Sequence, residues 1–222
     1  MDLMEAMNLR HSVRQYEPMA MTQAQTDALR SAVEEVNRES GLHIQLVTGE
    51  PKAFSGPMAH YGSFSGVTDY LALVGPKNDA LEEKCGYYGE KLVLRAQTLG
   101  LSTCWVALTY RKVPEAFRVE KGEKLCMVIA VGVGKTQGSA HRSKRPEDVS
   151  QYEGGEMPDW FRRGVEAALL APTAINQQSF FFAGFGNAVA ASAGKGPCVK
   201  TDLGIVKYHF ELGAGAENFI WG

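Results

Sequence analysis

The sequence predicts a mixed fold in which helices pack against a β-sheet, and three observations carry that prediction. Leu125 to Val133 (Leu-Cys-Met-Val-Ile-Ala-Val-Gly-Val) has no polar side chain, as expected of a central strand covered on both faces. Thr22 to Ser40 and Leu81 to Leu99 carry helical patterns, and each is followed by a β-favouring run. A helix, a loop and a strand over 158–182 then repeat the order found between Thr22 and Val47.

The 222 residues can bury a sizeable core, as one large domain or as two unequal lobes. A composition of 45% hydrophobic and 22% charged residues is that of an ordinary globular chain. The net charge of −2 gives no reason to expect nucleic acid or an anionic membrane as partner. Cys85, Cys104, Cys126 and Cys198 are scattered without a Cys-x-x-Cys pair, which predicts free thiols in a reducing compartment and no metal site. The N-terminus is acidic and lacks an apolar signal core, and no apolar run approaches the ~20 residues that span a bilayer. The expected location is the cytoplasm.

In chain order, Asp2 to Asn8 predicts a short helix, with Asp2 and Glu5 at capping-box spacing. Arg10-His11-Ser12-Val13-Arg14 follows. In an extended backbone Arg10, Ser12 and Arg14 point the same way, and two guanidinium forks with a hydroxyl suit a phosphate. On its own the stretch reads first as a solvated basic turn. Thr22 and Gln25 form a second capping box for a helix to Ser40, with Gly41 as C-cap. Leu42 to Val47 alternates as a strand, and its His43 reads as structural. Residues 49–66, rich in Gly, Ser and Pro, predict a long loop, a kind of segment that often carries function.

Tyr70 to Val74 predicts a buried strand ended by Gly75-Pro76, and the helix from Leu81 ends at Gly100. Leu101 to Leu108 then reads either as a buried edge strand with Trp105 in the core or as backbone passing close to a planar ligand. Cys104 has no identifiable base and reads as packing. Gly134-Lys135-Thr136 looks like the end of a P-loop, but the Gly required five residues earlier is Ile129, so a nucleotide-triphosphatase is excluded. His141 to Pro146 is a second basic cluster, and Glu153-Gly154-Gly155-Glu156 reads as a linker. After the helix of Pro158 to Ala171 comes Ala-Pro-Thr-Ala-Ile-Asn-Gln-Gln, 171–178. A loop of this composition presents backbone N–H groups and side-chain amides together, which suits a flat heterocycle with several acceptors, though on its own it reads first as an ordinary helix–loop–strand connection. Phe180 opens a strand, 186–200 is loop-like, and Thr201-Asp202 caps a last helix.

Taken together, these stretches resemble the FMN-dependent nitroreductase family. Arg10-His11-Ser12-Val13-Arg14 is similar to its Arg-x-Ser-x-Arg phosphate motif, and Gly100 to Trp105 to its Gly-Leu-Gly-Thr-x-Trp segment. Residues 171–178 are similar to its Ala-Pro-Ser-x-x-Asn-x-Gln flavin loop, and Arg142-Ser143-Lys144-Arg145 to its Lys-x-Arg. The resemblance covers most of 1–150 and 158–180. It implies an α+β fold of three layers, α-β-α, with a mainly antiparallel central sheet flanked by helices.

The family's proline–asparagine loop lies early in the chain, and its members are homodimers with the flavin at the interface. Here that loop lies late, and Ser179-Phe180 replaces the Pro-Trp that often follows. The resemblance therefore implies a single-chain pseudodimer of the tandem kind, with one lobe over 1–152 and an abbreviated second lobe over 153–222 completing the site. The first lobe would supply Arg10, His11, Ser12, Arg14, Arg142 and Lys144 around the phosphate and Trp105, Val106, Ala107 and Leu108 along the ring. The second would supply Pro172, Thr173, Ala174 and Asn176.

The implied activity is transfer of hydride from NAD(P)H by way of FMN to a nitroaromatic, quinone or similar small acceptor in a ping-pong cycle, with no side-chain catalyst and no metal. The alternative is a protein that binds FMN or another phosphate-bearing ligand without turnover. The chain would act as a monomeric pseudodimer or dimerise again.

Overall fold

The computed structural model describes all residues, 1–222. Helix α1 (Leu3–Leu9) starts at Asp2, whose side chain accepts the Glu5 N–H, and α2 (Gln23–Ser40) starts at the full Thr22–Gln25 capping box and ends at left-handed Gly41. Strand β1 (Gln45–Val47) is shorter than the alternation from Leu42 suggests. The Asn37 side chain takes both the N–H and the C=O of Ile44, at 2.8 Å each, so those groups leave the ladder.

Residues 49–66 are not a free loop. The Glu50 carboxylate accepts the N–H groups of Lys52 and Ala53 and starts a 3₁₀ turn, and Pro57 opens the short helix α3 (Pro57–Tyr61). Phe54, Ala59 and Phe64 are buried against Tyr70, Val128 and Ala130, so the segment covers one face of the first sheet.

That sheet has the order β1-β2-β4-β3 and is antiparallel throughout, with β2 (Asp69–Pro76), β3 (Ser102–Val106) and β4 (Glu123–Gly132). The apolar run of β4 is central, as its composition predicts. Its other face, with Leu71, Leu73, Met127 and Ile129, packs on α2 and α4 (Leu81–Thr98).

After α5 (Pro146–Val149), a second sheet has the order β5-β6-β7-β8, with β5 (Ser150–Glu153), β6 (Phe180–Phe185), β7 (Ala188–Ala193) and β8 (Ile220–Trp221). Here β6 and β7 form an antiparallel hairpin flanked by parallel neighbours. The sequence reads 186–200 as loop, and β7 corrects it. Gly186-Asn187 makes a two-residue turn with Gly186 at φ 58°, and pairing with β6 holds an Ala- and Ser-rich strand of low intrinsic propensity.

Helices α6 (Asp159–Ala168) and α7 (Val199–Ala214) pack on this sheet through Phe161, Val165, Phe182, Val189 and Phe210. Helices α4 and α7 cross at very short range. A Cβ on Gly86 would lie 2.0 Å from the Thr201 carbonyl oxygen, and one on Gly204 2.0 Å from that of Glu83. No helix is long and apolar enough to cross a membrane.

Candidate functional site

Two chambers adjoin where the N-terminal segment, β3 and the 172–176 loop meet. The first, about 400 Å³, is polar and basic, with Arg10, His11, Ser12, Arg14, Ser139, His141, Thr173 and Asn176 in its wall. The second, about 310 Å³, is mostly apolar, walled by Cys104 to Leu108, Met127, Pro172 to Ile175 and the Pro197–Ile205 segment. Ser12, Arg14, Pro172, Thr173 and Ile175 line both.

The N-terminal segment reaches this place because Ser12 bridges to Thr103 and Val13 donates its N–H to the Thr103 carbonyl. Arg10 is buried and Arg14 exposed. From β3 onward Trp105, Val106, Ala107 and Leu108 all face the apolar chamber, with Leu108 78% exposed. The Trp105 indole N–H donates to Glu90 Oε2 at 2.9 Å. Burial pushes the Cys104 thiol up, against the pull of Arg14, so it is not poised as a thiolate.

The 171–178 stretch is strained and heavily tethered. Ile175, Asn176 and Gln178 have φ of 48°, 54° and 44°, a region costly for residues with a Cβ and most of all for β-branched Ile. The Ala174 N–H donates to both carboxyl oxygens of Asp202, and Gln177 Nε2 donates to Asp202 Oδ2 and to the Pro197 carbonyl, both at 2.7 Å. The Gln178 side chain donates to the Leu169 carbonyl and accepts the Lys144 N–H. Ile175 itself is 85% exposed.

The structure therefore brings together Arg10, His11, Ser12, Arg14, Trp105 to Leu108, Pro172, Thr173, Ala174 and Asn176. The amide donor of Asn176 is already held by the Arg142 carbonyl at 2.9 Å. Arg142 and Lys144 line neither chamber. Their segment instead caps the C-terminal end of α6. His141 and Ser143 bond the Leu169 carbonyl, and Lys144 Nζ donates to the Gln178 carbonyl at 2.9 Å. Donors are favoured at that end of a helix.

Sequence reasoning named His141 only within the second basic cluster, and missed Ser139 and the wall at the start of α7. That helix starts at left-handed Cys198, so Thr201 and Asp202 are not its cap but buried residues of its first turn that line the apolar chamber. Burial pushes the Asp202 carboxyl up to about 6, while the bonds from Gln177 and Ala174 pull it down. An uncapped Thr-Asp pair facing a loop of amides was the available signal.

Two buried polar atoms in these walls have no partner in the protein: Arg10 Nε on the polar side and Thr201 Oγ1 on the apolar side. Orphaned groups of this kind call for a ligand that carries polar atoms into both chambers. An anion joined to a flat ring fits that donor set.

A family model described as "Putative TM nitroreductase" matches residues 2–214. Among solved structures, a "putative nitroreductase" of Thermotoga maritima aligns over 98% of this chain and 85% of its own, with TM-score 0.69 and 21% identity. A "putative nitroreductase in complex with FMN" from Desulfovibrio desulfuricans aligns over 71% of this chain and 99% of its own, with TM-score 0.53 and 14% identity. A "Putative NADH dehydrogenase/NAD(P)H nitroreductase" of Bacteroides thetaiotaomicron covers 66% and 95%, with TM-score 0.52 and 15% identity. At these identities the likeness is one of fold. No curated protein matches the sequence.

Proposed function

The chain belongs to the family described as "Putative TM nitroreductase", and from that premise we propose that it is an FMN-dependent NAD(P)H oxidoreductase acting on a nitroaromatic, quinone or similar small acceptor. The observation that carries this reading is the adjoining pair of chambers, one basic and hydroxyl-lined and one apolar, which suits a ligand with a phosphate at one end and a flat ring at the other. A solved relative of this fold is described as a complex with FMN.

FMN, when bound, supplies the two-electron chemistry, and the protein supplies binding, orientation and exclusion of water. Arg10, His11 and Arg14 would neutralise the phosphate, with Ser12 and Thr173 as hydroxyl partners. Trp105 to Leu108 and Pro172 to Ala174 would wall the ring from the two halves of the chain. Leu108 and Ile175 would shield the apolar chamber from water and offer a surface to flat substrates. NAD(P)H and the acceptor would use that chamber in turn, which is a ping-pong order. No Gly-x-Gly-x-x-Gly follows a strand, in keeping with a nicotinamide that visits and leaves.

We also infer two lobes, 1–152 and 153–222, that build one site within one chain. The chamber walls, which draw on residues 10–14 and 104–108 as well as 172–176 and 197–205, support this division. The four free cysteines support a reducing compartment such as the cytoplasm.

The test is the visible absorption spectrum of the purified protein before and after anaerobic NADH and then NADPH. A flavin spectrum that bleaches is expected. A flavin that stays oxidised with both would instead indicate binding without this turnover. No flavin uptake after incubation with FMN would end the reading.

A further inference from the structure

Arg10, Glu90 and His209 form a buried cluster behind the polar chamber. Glu90 and His209 are fully buried and Arg10 is 5% exposed. His209 Nε2 lies 3.0 Å from Glu90 Oε1, and its Nδ1 lies 3.1 Å from the Ala167 carbonyl oxygen. Both ring nitrogens thus face oxygen. Glu90 Oε1 is engaged by His209, while Oε2 accepts the Trp105 indole N–H.

That leaves Arg10 with only a long ion pair to Glu90. Its Nε lies 3.9 Å from Glu90 Oε1, too far for a hydrogen bond, and has no other partner. Its Nη2 reaches only the Leu170 carbonyl, at 3.4 Å. A guanidinium buried in this state is costly unless an anion completes it. Arg10 lines the polar chamber, where an anion would sit.

We propose that His209 is a positioning residue: by holding Glu90 Oε1 it withholds that carboxylate from Arg10 and keeps the guanidinium available to an anionic group in the polar chamber. The inference rests on the functional reading above, with the ligand's phosphate as the anion.

The experiment compares dissociation constants for FMN and for riboflavin, which lacks the phosphate, in the full chain and in His209→Gln, Glu90→Gln and the double variant. The ratio of the two affinities isolates the phosphate's share. In His209→Gln the imidazole that holds Oε1 is gone and the carboxylate turns to Arg10 and captures it, so the FMN advantage falls about tenfold or more. Adding Glu90→Gln removes the competitor and restores the advantage. A merely structural histidine would give no such rescue. An unchanged ratio in His209→Gln, or a double variant no better than the single, overturns the proposal. Glu90→Gln alone keeps or raises the FMN advantage, and a fall there overturns it too, which decides the matter if His209→Gln does not fold. A wild-type chain that binds neither flavin overturns the functional reading first, and is distinguishable from all of these.

Discussion

Asp202 accepts the backbone N–H of Ala174 on both carboxyl oxygens, at 3.0 and 3.1 Å, and so ties the first turn of α7 to the strained loop beside the apolar chamber. The same carboxyl accepts from Gln177 Nε2. A carboxyl kept in a buried wall despite its desolvation penalty is characteristic of functional sites.

Its pKa makes a stability prediction. The ordinary value is 3.8 and the folded value about 6. The folded state therefore binds the proton more tightly. This group's stabilising contribution is complete below about pH 4 and is lost as pH rises through about 6, a loss of about 3 kcal/mol at most. Asp202→Asn should remove that slope. Denaturant unfolding of both proteins at pH 4.5 and pH 7.5 reads it, and identical pH dependence in the two would refute the assignment.

Gly89 makes room for Trp105. A Cβ there would lie 2.5 Å from the far edge of the indole, and the indole N–H is fixed by Glu90. Gly89→Ala should push the ring toward the apolar chamber, destabilise the fold by about 1–3 kcal/mol, and change the near-ultraviolet circular dichroism. An unaltered aromatic signal would mean that the ring is not held as described.

Parts of this architecture are plain in the sequence because the cause is local. The Thr22 capping box, the C-cap at Gly41 and the unbroken apolar run of β4 each follow from a few neighbouring residues. The Arg10–Arg14, Trp105–Leu108 and Pro172–Ala174 stretches contribute to the walls of adjoining chambers, and what singled them out in the sequence was their likeness to family motifs, each of which is ambiguous alone. What was hidden depends on long-range partners. Ala188 to Ala193 is a strand only through β6, and the cover formed by 49–66 needs a sheet face to cover. Glu90 stands in a helix with Glu82, Glu83 and Lys91, and nothing local separates a buried carboxylate from surface ones. Its partners Arg10 and His209 lie far away in the chain.

Ile175 stores strain in an exposed position. Relief of φ 48° by Ile175→Gly should stabilise the fold by about 1 kcal/mol, net of glycine's greater entropy loss. If the side chain is retained to cover the bound ring, the same variant should bind FMN more weakly. Thermal unfolding and a flavin titration together test this. A variant that is neither more stable nor weaker in binding would show that the conformation serves neither end.

Arg14 and Lys144 test the extent of the proposed phosphate site. Arg14 is exposed and borders both chambers, so Arg14→Ala should lower FMN affinity about 10–100-fold while stability stays within about 0.5 kcal/mol. Lys144 Nζ donates to the Gln178 carbonyl and lines neither chamber. Lys144→Ala should therefore cost about 1 kcal/mol of stability and leave the affinity ratio of FMN to riboflavin unchanged. Fluorescence titration with the two flavins, beside urea unfolding, measures both. If Lys144→Ala instead abolishes the preference for FMN at full stability, its cation serves the phosphate, and the capping of α6 does not account for the basic cluster.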